Sequence, residues 1–144
     1  MRVKLTFPSK IIFTTSIAVS IRDINYGGHV GNDSILSIIH EARLRMLKQW
    51  SYTEMNVGGC GLIMADSAIQ YKGEAFHGDV LHVDIAVESI TSLSFDLYYK
   101  ISTIRDEKPI NIVLAKTGMI CFDYAQRKMT TMPDALKAYL SENN

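Results

Sequence analysis

Cysteine is scarce in this 144-residue chain, and neither positive nor negative charge is in excess. The two cysteines, Cys60 and Cys121, are too few for a disulfide framework and lack the spacing of zinc ligands. Both have apolar or glycine neighbours, so we expect buried thiols in a cytoplasmic protein. Fifteen basic residues balance fifteen acidic ones, without a block of like charge. This balance argues against a nucleic-acid partner, and we expect no metal site.

Long apolar runs are also missing, so no membrane partner is expected. The uncharged segment 11–21 could pass for a signal-peptide core, but its apolar residues alternate with small polar ones. The odd-numbered positions of this segment include Phe13, Ile17, Val19 and Ile21, which would lie on one face of a strand. This period of two predicts a half-buried strand from Phe13 to Arg22.

A helix is predicted next, from about Asp33 to Trp50. Its apolar stripe consists of Ile35, Ile39, Ala42 and Met46, widened by Leu36, Ile38 and Leu47. Asn32, Asp33 and Ser34 are candidates for the N-cap.

The rest of the chain reads mainly as strands. They are predicted at Gly61–Tyr71, Val80–Ser89, Ser92–Ile101 and Ile110–Tyr124, with a short helix from Pro133 to about Leu140. The second and third of these strands alternate strictly, whereas the fourth is apolar at both parities, as in a strand covered on both faces. The order predicts one α+β domain over residues 1–144, with an antiparallel sheet wrapped around one long central helix.

Several short motifs then suggest a family. Arg22-Asp23-Ile24-Asn25-Tyr26-Gly27-Gly28-His29-Val30-Gly31-Asn32, followed by His40-Glu41-Ala42-Arg43, resembles the signature of hot-dog-fold thioesterases related to 4-hydroxybenzoyl-CoA thioesterase. Ile69-Gln70-Tyr71-Lys72 with Gly78-Asp79-Val80-Leu81, and Cys121-Phe122-Asp123 with Met132-Pro133, resemble later motifs of the same family in matching order.

The resemblance implies a hot-dog fold and hydrolysis of an acyl-CoA or acyl-carrier-protein (acyl-ACP) thioester. It implies no cofactor beyond the coenzyme A of the substrate. It also implies a homodimer or a dimer of dimers with active sites at the subunit interface.

The glycine-bearing turn before the long helix suits thioester chemistry on physical grounds as well. A helix N-terminus offers unpaired N–H groups to the oxyanion that forms when water attacks a thioester carbonyl. Gly27 and Gly28 could let the substrate approach closely, or they could simply form the turn. The resemblance places the amide donor at Asn32, which could instead be a cap, and counts Tyr71 among the substrate-binding residues.

The sequence departs from the family at the residue most often used for catalysis. Relatives commonly carry an Asp-x-Asp pair in this turn, and here the pair is Asp23 and Asn25. An amide cannot take a proton from water, so Asn25 is predicted to orient water or substrate. His29 matches a histidine of plant acyl-carrier-protein thioesterases and is a candidate base, although it could also be a structural turn residue.

Two carboxylates outside the turn are further candidates. Glu41 could hold water or orient His29, or it could form an i, i+4 pair with Arg45. Asp66 lies in the middle of a predicted strand, where a charge needs a partner or a cavity. It is a candidate base from across a subunit interface, with a pKa that desolvation could raise.

Two other functions stay open at this point. Hot-dog hydratases use an Asp-x-Asn-Pro-x-His loop, whereas Asp23 and His29 are six apart and Tyr26 occupies the proline position. A non-catalytic acyl-CoA-binding domain is the second alternative, because loss of the usual aspartate would abolish turnover first.

Overall fold

The computed structural model describes residues 1–142 and consists of an antiparallel sheet with two helices, as predicted. The elements are β1 (Ile11–Ala18), α1 (Asn32–Gln49), β2 (Gly61–Tyr71), β3 (Val80–Glu88), β4 (Ser94–Arg105), β5 (Lys108–Asp123), β6 (Lys128–Met129) and α2 (Asp134–Glu142). The sheet order is β1-β3-β4-β5-β2, and β6 pairs with the end of β5. Among these residues, no helix is long and apolar enough to cross a membrane.

The alternation in β3 and β4 produces the face of the sheet that packs against α1. The alternate residues Leu81, Val83, Ile85, Phe95, Leu97, Tyr99 and Ile101 are almost completely buried. Strand β5 is buried at both parities over Ile112–Ala115, which confirms the predicted covering of both faces. By contrast, β2 is an edge strand whose central residues 64–67 are exposed, and it carries a bulge between Met64 and Asp66.

Helix α1 buries the predicted stripe except for Leu36, and it also buries one charged residue outside the stripe. Leu36 is exposed, whereas Arg43 is buried among the apolar residues. The N-cap is Gly31, which forms no side-chain capping bond, so the prediction of a cap at Asn32, Asp33 or Ser34 is wrong. The chain enters the helix from a main-chain turn that already fixes its direction, since the Gly31 N–H donates to the Asp23 carbonyl.

The first strand is shorter than predicted. It ends at Ala18, and the chain then forms a 3-10 turn over Ile21–Asp23. The Ser20 hydroxyl accepts the Arg22 N–H, and the Asp23 carboxylate accepts the Ser20 N–H. This capping box redirects the chain, so Ile21 is 68% exposed to solvent. It does not extend the row of buried alternate residues that ends at Val19.

Candidate active site

Asn25 holds the turn that precedes α1. Its Oδ1 accepts the N–H of Gly27 at 2.9 Å and that of His29 at 3.4 Å. The main-chain N–H of Asn25 also donates to the His29 carbonyl at 2.9 Å. Gly28 adopts a φ of 86°, which favours glycine, whereas Gly27 does not have a positive φ. The amide of Asn25 therefore shapes the turn and fixes where His29 leaves the main chain.

Asp23 makes two contacts with the main chain of the same turn. Its Oδ2 accepts the Ser20 N–H at 2.9 Å, and its carbonyl accepts the Gly31 N–H at 2.8 Å. Asp23 therefore joins the end of the 3-10 turn to the start of α1.

His29 points at a carboxylate, that of Glu74, which belongs to none of the sequence motifs. Its Nε2 lies 3.2 Å from Oε2 of Glu74, and its Nδ1 lies 3.0 Å from the Val30 carbonyl oxygen. Both partners are acceptors, so the imidazolium form satisfies both contacts and the neutral ring satisfies only one. The Glu74 side chain is 62% exposed and that of His29 is 28% exposed.

The loop that carries Glu74 is fixed at several points. The Val30 N–H donates to the Ala75 carbonyl at 2.8 Å, which joins the loop to the turn before α1. The Arg105 guanidinium donates to the Glu74 carbonyl at 3.1 Å and to Asp79 Oδ2 at 2.6 Å. Gly73 packs so closely on β5 that a Cβ there would lie 2.6 Å from the Asn111 carbonyl oxygen. These contacts hold the main chain of Glu74 and leave its carboxylate in solvent.

The pair borders a cleft of about 120 Å³ at the start of α1. Its polar lining comes from His29, Asn32, Tyr71 and Glu74, and its apolar wall includes Ile35, Ile112 and Val113. The Tyr71 hydroxyl donates to the Asn32 carbonyl at 3.2 Å, which ties the end of β2 to the first turn of the helix. The structure thus brings three of the predicted site residues together at a helix N-terminus, where amides and dipole favour developing negative charge.

Glu41 lies away from this cleft. Its Oε2 is 2.7 Å from Nε of Arg45, in the i, i+4 pair that was the alternative interpretation. Arg45 also donates to Thr15 and Ser16 of β1, so Glu41 belongs to the contact between α1 and β1.

Asp66 is likewise outside the cleft and already has partners. Its Oδ1 accepts from Lys116 Nζ at 2.8 Å and from the Gly118 N–H at 3.0 Å. The hydrogen bond from Lys116 is the main reason that the pKa of Asp66 lies below its ordinary value. Desolvation could have raised this pKa, but the side chain is 63% exposed, and the hydrogen bond from Lys116 outweighs the effect of burial.

A buried polar network joins α1 to the sheet, and no motif in the sequence predicted it. Arg43 Nε donates to Glu54 Oε2 at 2.7 Å, and Arg43 Nη1 donates to the Tyr99 hydroxyl at 3.1 Å. Tyr99 in turn lies 2.8 Å from the Thr117 hydroxyl, and His40 Nε2 lies 2.6 Å from Glu54 Oε1. The one signal in the sequence was the position of Arg43 on the apolar side of α1, between Ile39 and Met46.

The two cysteines are free and buried, as predicted. Burial raises the pKa of Cys121 to about 12, so its thiol stays protonated near neutral pH. Within residues 1–142, no group of three or more histidine, cysteine or acidic side chains could hold a metal ion.

Comparison with known proteins identifies the family and the fold. The family model of the thioesterase-like superfamily matches residues 19–140. A 1,4-dihydroxy-2-naphthoyl-CoA hydrolase from Microcystis aeruginosa is 29% identical over 125 residues, which cover 85% of this chain and 88% of the relative.

Two solved structures share the fold. A 1,4-dihydroxy-2-naphthoyl-CoA thioesterase from Synechocystis superposes with a TM-score of 0.80 at 23% identity, covering 90% of this chain and 96% of that one. A thioesterase-superfamily protein from Jannaschia sp. CCS1 superposes with a TM-score of 0.81 at 17% identity, covering 94% of this chain and 85% of that one. These likenesses confirm the predicted hot-dog fold. With the family model matching most of its length, the chain belongs to the thioesterase-like superfamily.

Proposed function

We propose that this protein hydrolyses an acyl thioester in the cleft at the start of α1, with Glu74 as the general base. One observation carries the proposal: the Glu74 carboxylate lies 3.2 Å from His29 beside a helix N-terminus, in a chain of the thioesterase-like superfamily. The reaction adds water across the C–S bond and yields a carboxylic acid and a free thiol.

The thioester carbonyl oxygen would face the first-turn N–H groups of α1, near Asn32. Those fixed donors stabilise the oxyanion of the tetrahedral intermediate without rearranging as it forms. Water between Glu74 and the carbonyl carbon would lose its proton to the carboxylate as it attacks. The intermediate then expels the thiolate, which takes up the proton that Glu74 accepted.

His29 would act as a positioning partner of Glu74 instead of as the base. Its Nδ1 lies 3.0 Å from the Val30 carbonyl oxygen, so only its Nε2 faces the site, 3.2 Å from the carboxylate. Asn25 would be a second positioning residue, because its side chain holds the main-chain N–H of His29. The remaining candidates, Asp23, Glu41 and Asp66, are all engaged elsewhere in ion pairs or caps.

Coenzyme A is the proposed carrier of the acyl group. The relative from Microcystis and the structural neighbour from Synechocystis are both named for hydrolysis of an aromatic acyl-CoA. An acyl carrier protein would need a docking face, and the balanced charge of this chain gives no sign of a basic one.

A panel of acyl-CoA thioesters, with aliphatic chains of graded length and aromatic acyl groups, tests the proposal by release of free thiol. Turnover of at least one thioester is expected. Hydration of crotonyl-CoA without thiol release would indicate the hydratase alternative. Tight acyl-CoA binding without either reaction would indicate a non-catalytic binding domain.

A homodimer, or a dimer of dimers, is the proposed assembly, and the cytoplasm is the proposed location. The edge strand β2 presents unpaired main-chain groups and exposed side chains such as Met64, a surface that a second copy could cover. Sedimentation that finds an active monomer at micromolar concentration would refute the dimer.

A further inference from the structure

The segment that precedes β1 crosses the face of the sheet opposite α1. Strands β1 and β2 are the two ends of the sheet order, and the segment runs from one to the other. Beside β2, the Leu5 N–H donates to Gln70 Oε1 at 3.3 Å. Further along, Phe7 borders a small cleft with Lys100 of β4, a residue that alternates with Tyr99 on the α1 side. The first residues of the chain are therefore placed beside the end of β2.

A cleft of about 450 Å³ lies between this segment and the end of β2, and we call it the N-terminal cleft. Clefts that hold small molecules measure roughly 300–1,000 Å³, so this one is large enough for a nucleotide. It is lined by Arg2, Val3, Lys4, Ile69, Gln70 and Tyr71. The lining thus combines two cations with an amide and apolar surface, and none of these six residues is acidic.

The two cations of the N-terminal cleft have no partner in the fold. Arg2 and Lys4 are both exposed, and neither side chain forms an ion pair or a hydrogen bond with another residue of the described range 1–142. Guanidinium and ammonium groups bind phosphate through charge-assisted hydrogen bonds. Lys72 and Lys100, which border the small cleft beside Phe7, add positive charge on the same side of the sheet. The arrangement therefore suits a ligand that carries phosphate groups.

Tyr71 lies between the N-terminal cleft and the candidate active site. It lines the N-terminal cleft and also the cleft at the start of α1, where its hydroxyl donates to the Asn32 carbonyl. In an acyl-CoA, the flexible pantetheine arm separates the thioester from the phosphates. A thioester held near Asn32 would therefore place its phosphates on a surface some way from the reacting carbonyl, and the N-terminal cleft is a cationic surface at the same end of β2.

We propose that Arg2 and Lys4 bind phosphate groups of coenzyme A, and that Gln70 is the positioning residue that holds their segment in place. The inference rests on the proposed choice of coenzyme A as the acyl carrier and adds the place where its phosphates bind. Two cations in a cleft suit phosphate groups, and they do not make the broad basic face that an acyl carrier protein would need. Phosphates keep their charge throughout the hydrolysis, so these contacts are equal in the ground state and the transition state and act on KM.

Thioesters of one acyl group on coenzyme A, on dephospho-CoA and on pantetheine test this, with the acyl group that the wild type hydrolyses fastest. The double variant Arg2→Gln/Lys4→Gln should raise KM for the acyl-CoA about tenfold, the scale of two exposed charge contacts, with kcat unchanged. Its KM for the acyl-pantetheine, which has no phosphate, should equal that of the wild type. The control Lys128→Gln/Lys137→Gln makes the same change of charge on β6 and α2, away from the N-terminal cleft, and should leave every KM unchanged.

Two further arms locate the phosphate and test the positioning residue. Dephospho-CoA lacks the 3′-phosphate, so an effect of the double variant that persists on its thioester assigns the cations to the diphosphate. An effect that disappears assigns them to the 3′-phosphate, and either result supports the site. Gln70→Leu removes the acceptor of the Leu5 N–H and should raise KM for the acyl-CoA by about threefold, again without an effect on the acyl-pantetheine.

The results that overturn the inference differ from those that overturn the hydrolysis. A double variant with the wild-type KM for the acyl-CoA overturns the phosphate site, and so does an equal rise of KM for the acyl-CoA and the acyl-pantetheine. Calorimetry measures the site without turnover: the wild type should bind coenzyme A more tightly than pantetheine, and the double variant should lose that difference. If no thioester is hydrolysed but coenzyme A binding still depends on the two cations, the proposed hydrolysis fails and the phosphate site stands.

Discussion

Two histidine–glutamate pairs lie near α1, and they differ in the other partners of the glutamate and in how far its side chain is exposed. Glu54 meets His40 at 2.6 Å and also has the buried guanidinium of Arg43 as a partner, whereas Glu74 meets His29 at 3.2 Å. The Glu54 side chain is 23% exposed and that of Glu74 is 62% exposed. A carboxylate fixed between a buried guanidinium and a histidine ring is held ionised and rigid, and it stabilises the fold. A carboxylate that has one histidine partner and is otherwise largely in water can accept a proton during a reaction.

Replacing Glu74 tests the reactive side of this comparison and should have the largest effect. Glu74→Gln keeps the shape of the side chain but removes the base, so kcat for thioester hydrolysis should fall by about 10²–10⁴-fold. The melting temperature should barely change, because the side chain is exposed. Glu88→Gln, which alters an exposed carboxylate at the end of β3, is the control. A decrease in kcat of less than threefold would remove Glu74 from the mechanism.

Replacing Glu54 tests the structural side. Glu54→Gln leaves the charge of Arg43, which is 7% exposed, without its counterion, and should lower the free energy of unfolding by about 3 kcal/mol. The melting temperature should then fall by roughly 10 °C. Glu41→Gln breaks an ion pair that is about half exposed and should cost no more than about 0.5 kcal/mol. Equal destabilisation by the two variants would contradict the distinction.

Acid unfolding should separate the same two variants. The pKa of Glu54 is lowered in the folded state, so its contribution to stability is complete above the unfolded pKa, about 4.3 for a glutamate. The contribution is lost as the pH falls through the lower, folded pKa. The stability of the wild type should therefore decrease more steeply than that of Glu54→Gln below about pH 4.3. Denaturant titrations at a series of pH values measure this, and parallel curves would refute it.

Asn25 should give a smaller effect on turnover than Glu74. Asn25→Ala removes the acceptor for the N–H groups of Gly27 and His29, and we expect kcat to fall by about tenfold with little change in KM. Asn25→Asp retains an acceptor of nearly the same shape and adds a carboxylate, so its kcat should equal or exceed that of the wild type. If Asn25→Ala hydrolyses thioesters at the wild-type rate, the turn does not position His29 for catalysis.

Asp66 should give the smallest effect. Asp66→Asn removes the ion pair with Lys116, and because the carboxylate is 63% exposed to solvent, the pair is worth at most about 1 kcal/mol. Hydrolysis should change by less than threefold when measured by thiol release. A hundredfold loss would instead restore Asp66 as a base contributed across a subunit interface.

The sequence predicted the fold well because the sheet is built from strict local patterns. The alternation in β3 and β4 separates the side chains of one face from those of the other, and the two-sided apolar run of β5 is just as local. Strand β1 was predicted too long because a short capping box at Ser20 and Asp23 overrides the apolar parity of Ile21. A single strand pattern carries no information about where such a cap redirects the chain.

The candidate site was predicted only in part, for a related reason. The turn before α1 is contiguous in sequence, so its motif led to His29 and Asn32. Glu74 comes from the loop after β2, and only the register of β2 on β5 and the Val30–Ala75 hydrogen bond bring it beside His29. A contact between residues 45 positions apart, such as His29 and Glu74, leaves no periodic pattern in the sequence. The Arg43–Glu54 pair was missed for the same reason, since Glu54 lies in the irregular segment between α1 and β2.

The position of Glu74 depends on Gly73, a residue that has no reactive group of its own. Its missing side chain lets the loop rest on the main chain of Asn111, and even a methyl group would push the two backbones apart. In a randomised library of this chain, selection for folding should tolerate alanine or serine at position 73, since the loop could shift into solvent. Selection for turnover should return glycine, because such a shift would carry Glu74 away from His29. The difference between the two selections would measure how far catalysis depends on main-chain placement in a loop that folding alone leaves free to vary.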